Sequence, residues 1–320
     1  MEKMKAVICT GYGPPEVLQL KEVEKPVPGD NEVLIKIIAS AVTASDCIIR
    51  SFSLPGDHKF PMKQIMGLMM RFYLGFTKPK KAILGLVLSG EIESTGKDIK
   101  RFQKGDQVYG FTGYSFGAYA AYTCLTEEDS TLGCLAVKPG NMSHEESASV
   151  IYGGLLALFF MKEMNLSKGK KVLIYGASGA IGTVAVQYAR SFGAEVTGVC
   201  SSSNEALVRS LGAHKTIDYI MEDALERLEA YDYVLDAVGK NKTSSLKTKA
   251  KKALAPNGKY VSVDDGILKL RSKDLLLLKE LCETGKIKAV IDRSYPLEQI
   301  VEAHSYVDQK HKKGNVVLTI

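Results

Sequence analysis

The residues with the clearest chemical signature form a glycine-rich segment that runs from Gly176 to Gly182. It follows a short apolar run, Lys171–Tyr175, and precedes a run with helical spacing. Gly176 permits a tight turn, Gly179 lets a pyrophosphate approach the backbone, and Gly182 lets a helix pack against a strand. The N-terminus of that helix would present N–H groups and a positive dipole end to phosphates.

Glycine-rich turns also serve plain strand–helix packing, and the surrounding pattern decides between the two uses. Here a strand precedes the glycines, a helix follows, and three further strand–helix units lie downstream, which favours a dinucleotide cofactor. The candidate cofactor residues of this segment are Gly176, Ser178, Gly179, Ala180, Ile181 and Gly182.

The end of the next strand predicts which nicotinamide cofactor binds. An NAD site places an Asp or Glu on the ribose hydroxyls, about 20 residues beyond the glycines, at a strand's carboxyl end. Glu195 has this spacing but stands at the start of its strand, and residues 200–204 at the far end contain no acid. Hydroxyls and amides can donate to a 2′-phosphate that an acid would repel. We therefore predict NADPH, held by Ser201, Ser202 and Asn204; simple capping of the next helix is the alternative.

The pattern of predicted secondary structure changes near residue 130. Before it, β-rich runs at 5–9, 32–40, 86–94 and 107–111 are broken by Gly and Pro turns. From 168, strands predicted at 171–175, 195–200, 216–219, 231–237 and 259–263 alternate with helices at 181–192, 204–211, 223–229 and 244–254. After about 286 come a strand, a helix near 297–308 and a final strand, 315–320. The alternation predicts an α/β fold with a parallel sheet covered by helices on both faces.

Length and composition are those of an ordinary globular protein, with 320 residues, 45% hydrophobic and 24% charged. The net charge of +6 includes short basic runs at 78–81, 247–252 and 310–313. We interpret these runs as solvated surface, not as a nucleic-acid face; the alternative is that one of them helps to hold an anionic cofactor or substrate. Six scattered cysteines indicate reduced thiols. The start resembles no signal peptide and no apolar run reaches about 20 residues, so we expect a cytoplasmic protein without a membrane partner.

The segment 60–76 is unusually rich in methionine and aromatic residues. Apolar side chains would wrap most of a helix there, and burial in the core is the favoured interpretation. An adaptable wall beside a binding site is the second, and a helix on a membrane surface is the third, since the polar face is thin.

Motifs along nearly the whole chain carry a family resemblance. They are Lys5–Val7, Gly11–Pro15, Glu32–Lys36, Asp46, Gly105–Val108, Gly117–Ala120, Gly153-Gly154, Gly176–Gly182, Leu211–Ala213, Ile217–Tyr219, Asp236–Gly239, Pro256–Gly258 and Gly314–Leu318. With them the chain resembles the zinc-lacking medium-chain dehydrogenases/reductases, in the branch of quinone oxidoreductases and enone reductases.

The resemblance implies a fold in two parts. A GroES-like β domain would span 1–130 and be completed by 286–320. A Rossmann domain with a doubly wound parallel sheet would span 131–285, with the active site in the cleft between the two.

The resemblance also extends the cofactor site, for which it implies NADP(H). By motif position Tyr219 would face the 2′-phosphate, and Ala237 and Val238 would line the cofactor. Relatives often carry a Lys where this chain has Asn204, and Lys310 is our candidate for a replacement charge.

The zinc enzymes of this superfamily hold their metal with Cys and His, because Zn²⁺ prefers sulfur and nitrogen ligands. The matching positions here are Thr43, Leu86 and Val87, which cannot form a tetrahedral zinc site. Cys47, beside Asp46, is interpreted as a small core thiol, not as a ligand. The sequence therefore predicts no metal.

The lack of zinc limits the chemistry. Without a Lewis acid nothing stabilises an alkoxide, whereas a conjugated acceptor needs only one or two hydrogen-bond donors for its enolate or quinol oxygen. We therefore expect a small-molecule substrate, a quinone or an α,β-unsaturated carbonyl, reduced by NADPH. A cofactor-binding adaptor without turnover and an alcohol or aldehyde dehydrogenase are the alternatives. Whether the protein forms a homodimer is left open. In many relatives the segment that matches 264–275 supplies an intersubunit strand, and here this segment is short.

The catalytic candidates are Thr43, Asp46 and Tyr152. Thr43 would orient the substrate or the nicotinamide ribose, and Asp46 would order the loop around it; a carboxylate that merely caps the local backbone is the alternative. Tyr109, Tyr114 and Tyr152 are candidates for a proton relay, and Tyr152 is the one we retain; each is equally explained by packing with a satisfied hydroxyl. We interpret Arg50 as a surface residue, the alternative being attraction of an acidic substrate group.

We predict that the purified protein contains no stoichiometric zinc, because Thr43, Leu86 and Val87 occupy the ligand positions. Elemental analysis measures the metal content, and a chelator should leave activity unchanged. One tightly bound zinc per chain would contradict the prediction.

Overall fold

The computed structural model describes residues 2–53, 62–239 and 244–320. The chain forms two compact units. The first unit comprises residues 1–151, 269–280 and 291–320, and the second comprises 152–268 and 281–290. The polypeptide therefore leaves the first unit twice and returns to it twice.

The strands are β1 Lys3–Cys9, β2 Leu18–Glu24, β3 Glu32–Val42, β4 Val87–Thr95, β5 Gln107–Phe111, β6 Tyr122–Thr126, β7 Cys134–Val137, β8 Lys171–Tyr175, β9 Glu195–Cys200, β10 Lys215–Asp218, β11 Tyr231–Asp236, β12 Leu254–Ser262, β13 Ile291–Pro296 and β14 Asn315–Thr319. The helices are α1 Ala44–Ser51, α2 Met62–Leu74, α3 His144–Met161, α4 Ala180–Ser191, α5 Glu205–Ser210, α6 Ser245–Ala250, α7 Ser272–Glu283 and α8 Ile300–Asp308.

The first unit is built on two sheets whose strands pair antiparallel, except that β13 and β14 pair parallel. β1 and β2 form a two-stranded sheet, and a seven-stranded sheet runs β13-β14-β3-β4-β5-β7 with β6 also paired to β3. The C-terminal strand β14 lies antiparallel to β3, with Leu318 opposite Ser40, so the end of the chain completes this sheet. Val33, Ile35 and Ile37 lie on one face of β3 and are buried in the core, and several residues of the opposite face are buried too. The predicted GroES-like part of the fold is confirmed.

The second unit is a parallel sheet in the order β10-β9-β8-β11-β12, which is the doubly wound arrangement. The chain order reverses between β8 and β11, and ligands of such sheets bind beyond the carboxyl ends of the strands at this switch point. β9 and β10 are in register, with Cys200 opposite Asp218, so both strands end at the same edge. The predicted α/β class with a Rossmann sheet is confirmed.

Some predicted boundaries are wrong. β12 begins at Leu254, five residues before the predicted 259, because it tolerates Pro256 and a left-handed Asn257 (φ 66°) as the last strand of the sheet. Proline on an edge strand need not remove a ladder hydrogen bond. The helix predicted at 223–229 is only a 3₁₀ turn over Glu222–Leu225. α7 was not predicted.

Arg50 is buried, so its interpretation as a surface residue is wrong. Its side chain is 1% exposed, donates from Nη1 to the Gly13 carbonyl at 2.8 Å, and forms an ion pair with Asp308 of α8. Cys47 one turn earlier is buried as predicted. Arg50 thus ties α1 to neighbouring elements of the first unit.

The predicted burial of segment 60–76 is also wrong for one face of α2. Six apolar side chains of this segment are exposed: Ile65, Leu68, Met69, Phe72, Tyr73 and Phe76. Phe60, Pro61 and the side chain of Met62 lie outside the described residues. Among the described residues, no helix is both long and apolar enough to cross a bilayer.

Candidate cofactor site

The glycine turn after β8 has the geometry that its sequence predicts. Gly176 adopts φ +84°, a region open to glycine, and a Cβ there would lie 2.5 Å from Cγ2 of Val238. A Cβ on Gly182 would overlap the Gly176 carbonyl oxygen and lie 2.7 Å from Cα of Ala177, so only glycine lets α4 approach this closely. Gly179 is different, because a Cβ there meets nothing nearer than the Gly176 oxygen at 3.5 Å.

Gly179 is also the N-cap of α4, with extended backbone (φ −82°, ψ 178°) and no side chain over the helix end. The N–H groups of the first helical turn, from Ala180 to Gly182, have no acceptor within their own helix. Ala180 and Ile181 are partly exposed. The N-terminus of α4 can therefore donate to a pyrophosphate laid across Gly179.

The loop after β11 packs against the glycine turn. Ala237 N donates to the Tyr175 carbonyl at 3.0 Å, and Val238 lies over Gly176. The candidates Ala237 and Val238 therefore stand beside the turn, at the switch point of the sheet.

Asp236 holds this loop in place, which sequence reasoning missed. One carboxylate oxygen accepts from the N–H groups of Val238 and Gly239, both at 3.1 Å. The other lies 2.7 Å from Nζ of Lys247 and accepts from the Tyr260 hydroxyl at 2.8 Å. Lys247 is buried, so the interpretation of run 247–252 as solvated surface is wrong for this residue. The signal for Asp236 in the sequence was an acidic residue at the end of an apolar strand.

The loop after β9 places the predicted selectivity residues at the same edge. Asn204 is buried, and its Nδ2 donates to Oγ of Ser178 at 3.1 Å, which links this loop to the glycine turn. Neither Ser201 nor Asn204 forms a side-chain cap on the helix that it precedes, so the capping alternative is wrong. Ser202 and the nearby Tyr219 are exposed.

An acidic residue nevertheless contacts the loop after β9, although the loop itself contains none. Asp218, at the end of β10, accepts from Ser202 N at 2.7 Å and from the Ser202 hydroxyl. Burial alone would raise the pKa of Asp218, but the hydrogen bonds from Ser202 and from the Ile220 N–H lower the pKa below its usual value. The loop sequence contains no acid, yet the register of β9 and β10 brings an ionised carboxylate to it.

Thr43 and Asp46 form a capping box at the start of α1, in the first unit. The Thr43 hydroxyl donates to Asp46 Oδ2 at 2.6 Å, and Asp46 N donates back to Thr43 Oγ1 at 3.2 Å. Asp46 is fully buried, and the desolvation raises its pKa to about 6 in spite of the bonds from Thr43. The structure thus shows the local cap that was the alternative for Asp46; contact of Thr43 with a substrate stays a prediction.

The remaining candidates are placed as follows. Tyr152 is half-buried on α3, at the start of the second unit. Lys310 is exposed just after α8, in the first unit, with φ +60°. Tyr109 is fully buried and donates to the Leu275 carbonyl, which is the packing role given as its alternative.

Leu86 and Val87 are buried at the start of β4, and neither carries a ligand atom. Within 2–53, 62–239 and 244–320, His, Cys, Asp and Glu form no group of three or more that could hold a metal ion.

Known proteins match this architecture over the whole chain. A model described as "Alcohol dehydrogenase GroES-like domain" matches residues 29–168, and one described as "Zinc-binding dehydrogenase" matches 180–293. The chain is 30% identical to the protein named NAD(P)H oxidoreductase RTN4IP1, mitochondrial, of Mus musculus, across 99% of this chain and 89% of the relative. The chain belongs to the medium-chain dehydrogenase/reductase family.

Two further comparisons place this medium-chain reductase near enone and quinone reductases. It is 28% identical to a protein of Arabidopsis thaliana named NADPH-dependent alkenal/one oxidoreductase, chloroplastic, over 99% of this chain and 80% of the relative. The solved structure of the quinone oxidoreductase from Coxiella burnetii superposes with a TM-score of 0.82 at 25% identity and full coverage of both chains. This medium-chain reductase is therefore an oxidoreductase that uses a nicotinamide cofactor.

We predict that Gly179→Val abolishes NADPH binding and leaves the fold intact, because its methyl groups would stand in the open space above the turn. Gly182→Val is the matched control: its side chain would enter the contact with Gly176 and Ala177 and lower the free energy of unfolding by about 1–3 kcal/mol or more. Thermal melting with and without NADPH measures both effects. A Gly179→Val protein that melts near the parent and is still stabilised by NADPH would show that the phosphates bind elsewhere.

Proposed function

We propose that this medium-chain reductase transfers hydride from NADPH to a quinone or an α,β-unsaturated carbonyl without zinc. The observation that carries the proposal is the turn from Gly176 to Gly182, which offers an open backbone and a helix N-terminus at the switch point of the parallel sheet. Relatives named for quinones and for alkenals and enones support the class of acceptor.

We propose the absence of zinc because of the residues that occupy the positions of the zinc ligands in related enzymes. The Thr43 hydroxyl is committed to Asp46, and Leu86 and Val87 have hydrocarbon side chains buried in the sheet. Such a site favours conjugated acceptors, because their negative charge develops on an oxygen that a hydrogen-bond donor can stabilise.

The nicotinamide cofactor supplies the hydride, and the chain must orient it and deliver a proton. Because Thr43 donates its proton to Asp46, its oxygen is left as an acceptor. It is therefore better suited to hold a ribose hydroxyl than to donate to the oxygen of a substrate. Tyr152, a phenol with a donor of its own, is our candidate for the proton relay. Asp46 acts through Thr43 and is a positioning residue.

For the cofactor we propose a preference for NADPH that Asp218 keeps modest, because its charge opposes a 2′-phosphate. Ser201, Ser202 and Tyr219 offer donors to a 2′-phosphate, but Asp218 already accepts both the N–H and the hydroxyl of Ser202. A phosphate at Ser202 must displace a carboxylate from these donors and lie beside its charge. Like charges a few ångströms apart near a surface repel by about 1–4 kcal/mol.

We predict that Asp218→Asn raises the ratio of NADPH to NADH affinity by about tenfold or more, because the repulsion is removed. Asp223→Asn is the control: it removes an acid of the same unit that pairs with Arg227. Ser201→Asp adds an acid and should shift the ratio towards NADH. Fluorescence titration of both reduced cofactors measures the ratios. Equal ratios in the parent and in Asp218→Asn would contradict this role.

Turnover tests the main proposal. We predict NADPH oxidation with quinones, enones or enals, and no reduction of NADP⁺ by saturated alcohols. Absorbance of the reduced nicotinamide follows both reactions. Cofactor binding without turnover of any acceptor would identify a non-catalytic adaptor, and oxidation of alcohols would identify a dehydrogenase; either outcome contradicts the proposal.

A further inference from the structure

One face of α2 and of the turn after it presents a continuous apolar surface. The exposed residues 65, 68, 69, 72, 73 and 76 recur at helical spacing, so they form a single line, which we call the apolar stripe. Its two aromatic members on the helix, Phe72 and Tyr73, are 69% and 71% exposed. Exposed apolar areas of this kind mark an interaction site.

The opposite face of α2 attaches the helix to the protein. Met66, Met70 and Leu74, spaced four residues apart, are each half-buried. Gly75, directly after the helix, is buried, and its carbonyl accepts from the Tyr12 hydroxyl at 3.0 Å. The helix thus lies along the surface of the first unit with the apolar stripe turned outward.

The charged residues along the sequence of the apolar stripe and the loop after it are all basic. The sequence holds no Asp or Glu from 58 to 90, while Arg71, Lys78, Lys80 and Lys81 are all exposed there. Nζ of Lys80 donates to the Phe72 carbonyl at 2.7 Å and lies 5.4 Å from the centre of the Phe72 ring. Arg71 donates to the carbonyl of Phe76, so at least Lys80 and Arg71 stand beside residues of the apolar stripe.

This combination identifies the class of partner. A second copy of the chain, docked face to face, would bring the same cations together at a symmetric interface and repel. An anionic lipid surface accepts both features, since apolar side chains enter the boundary of the acyl chains while Lys and Arg contact the headgroups. Tyr114, exposed and 6.1 Å from the Tyr73 ring, adds an aromatic ring of the kind found at this depth.

We propose that α2 and the loop through Lys81 dock this protein onto anionic lipid surfaces as a peripheral interfacial element. The sequence led us to expect no membrane partner, and a membrane-surface helix was only the third interpretation of this segment because its polar face is thin. The exposed lysines of the following loop add positive charge to that thin polar face. The proposal does not depend on the proposed hydride transfer, because it concerns a surface and not the chemistry.

Sedimentation with vesicles tests the proposal on the whole protein. Vesicles of phosphatidylcholine are compared with vesicles of equal parts phosphatidylcholine and phosphatidylglycerol. We expect binding to the anionic vesicles to be stronger by about tenfold or more, and to weaken as salt is added. Equal binding to both compositions, or binding to neither, would overturn the proposal. Self-association seen by light scattering without vesicle binding would identify a second copy as the occupant and overturn it too.

Matched variants locate the surface. Leu68→Asp puts a carboxylate into the apolar stripe and should weaken binding to anionic vesicles by about tenfold or more. Ile267→Asp makes the same kind of change at an exposed residue of the second unit and should have no effect. Lys78→Gln with Lys81→Gln should weaken binding about tenfold, whereas Lys252→Gln with Lys259→Gln removes the same charge from the second unit and should leave it unchanged.

NADPH oxidation with a water-soluble acceptor separates this proposal from the function. Leu68→Asp should retain the parent rate while it loses vesicle binding. If Leu68→Asp instead abolishes turnover of the soluble acceptor and leaves vesicle binding unchanged, the apolar stripe belongs to the substrate site and the lipid proposal is wrong. An inactive parent that binds anionic vesicles would contradict the proposed function alone.

Discussion

The close approach of α4 to the turn after β8 is the constraint on which the candidate cofactor site depends. Gly182 lies against Gly176 and Ala177 with no room for a methyl group, and this contact aims the N-terminus of α4 at the edge of the sheet. Gly176 leaves room for the side chain of Val238 in the adjacent loop. Asp236 fixes that loop by accepting from its N–H groups, and Lys247 forms an ion pair with Asp236. The N–H donors of α4 and the flanking loops therefore take their positions from a contact that exists only because residue 182 has no side chain.

The parts of the fold and of the site that could be predicted are those coded locally. Alternation along the chain predicts the parallel sheet, because strands buried on both faces are short apolar runs and the helices between them have their own period. The glycine turn could be predicted because its three glycines stand in a local pattern between a strand and a helix, and two of them, Gly176 and Gly182, have no room for a side chain. β12 was misjudged for the converse reason, since Pro256 and Asn257 signal a break that the edge of a sheet tolerates.

The residues that the sequence analysis missed or misplaced have partners that are distant in the chain. Asp218 meets Ser202 only because β9 and β10 pair in register, 16 residues apart in the chain. Lys247 is buried because Asp236 is there to neutralise it, and Arg50 because Gly13 and Asp308 surround it. Composition marks such residues as surface, and only the tertiary fold supplies the partner that makes burial favourable. The exposed face of α2 could not be predicted for the same reason, because the sequence of an almost wholly apolar segment does not indicate which face packs against the protein.

The position of Asp218 also bears on how proteins of this architecture diverge. Aspartate and asparagine codons differ by one base, and residue 218 belongs neither to the glycine turn nor to the strand that precedes Ser201. A lineage can therefore change the charge beside Ser202, at the proposed 2′-phosphate site, through one nucleotide substitution and keep every residue of the dinucleotide fingerprint. Reductases with identical fingerprints need not draw on the same nicotinamide pool of the cell.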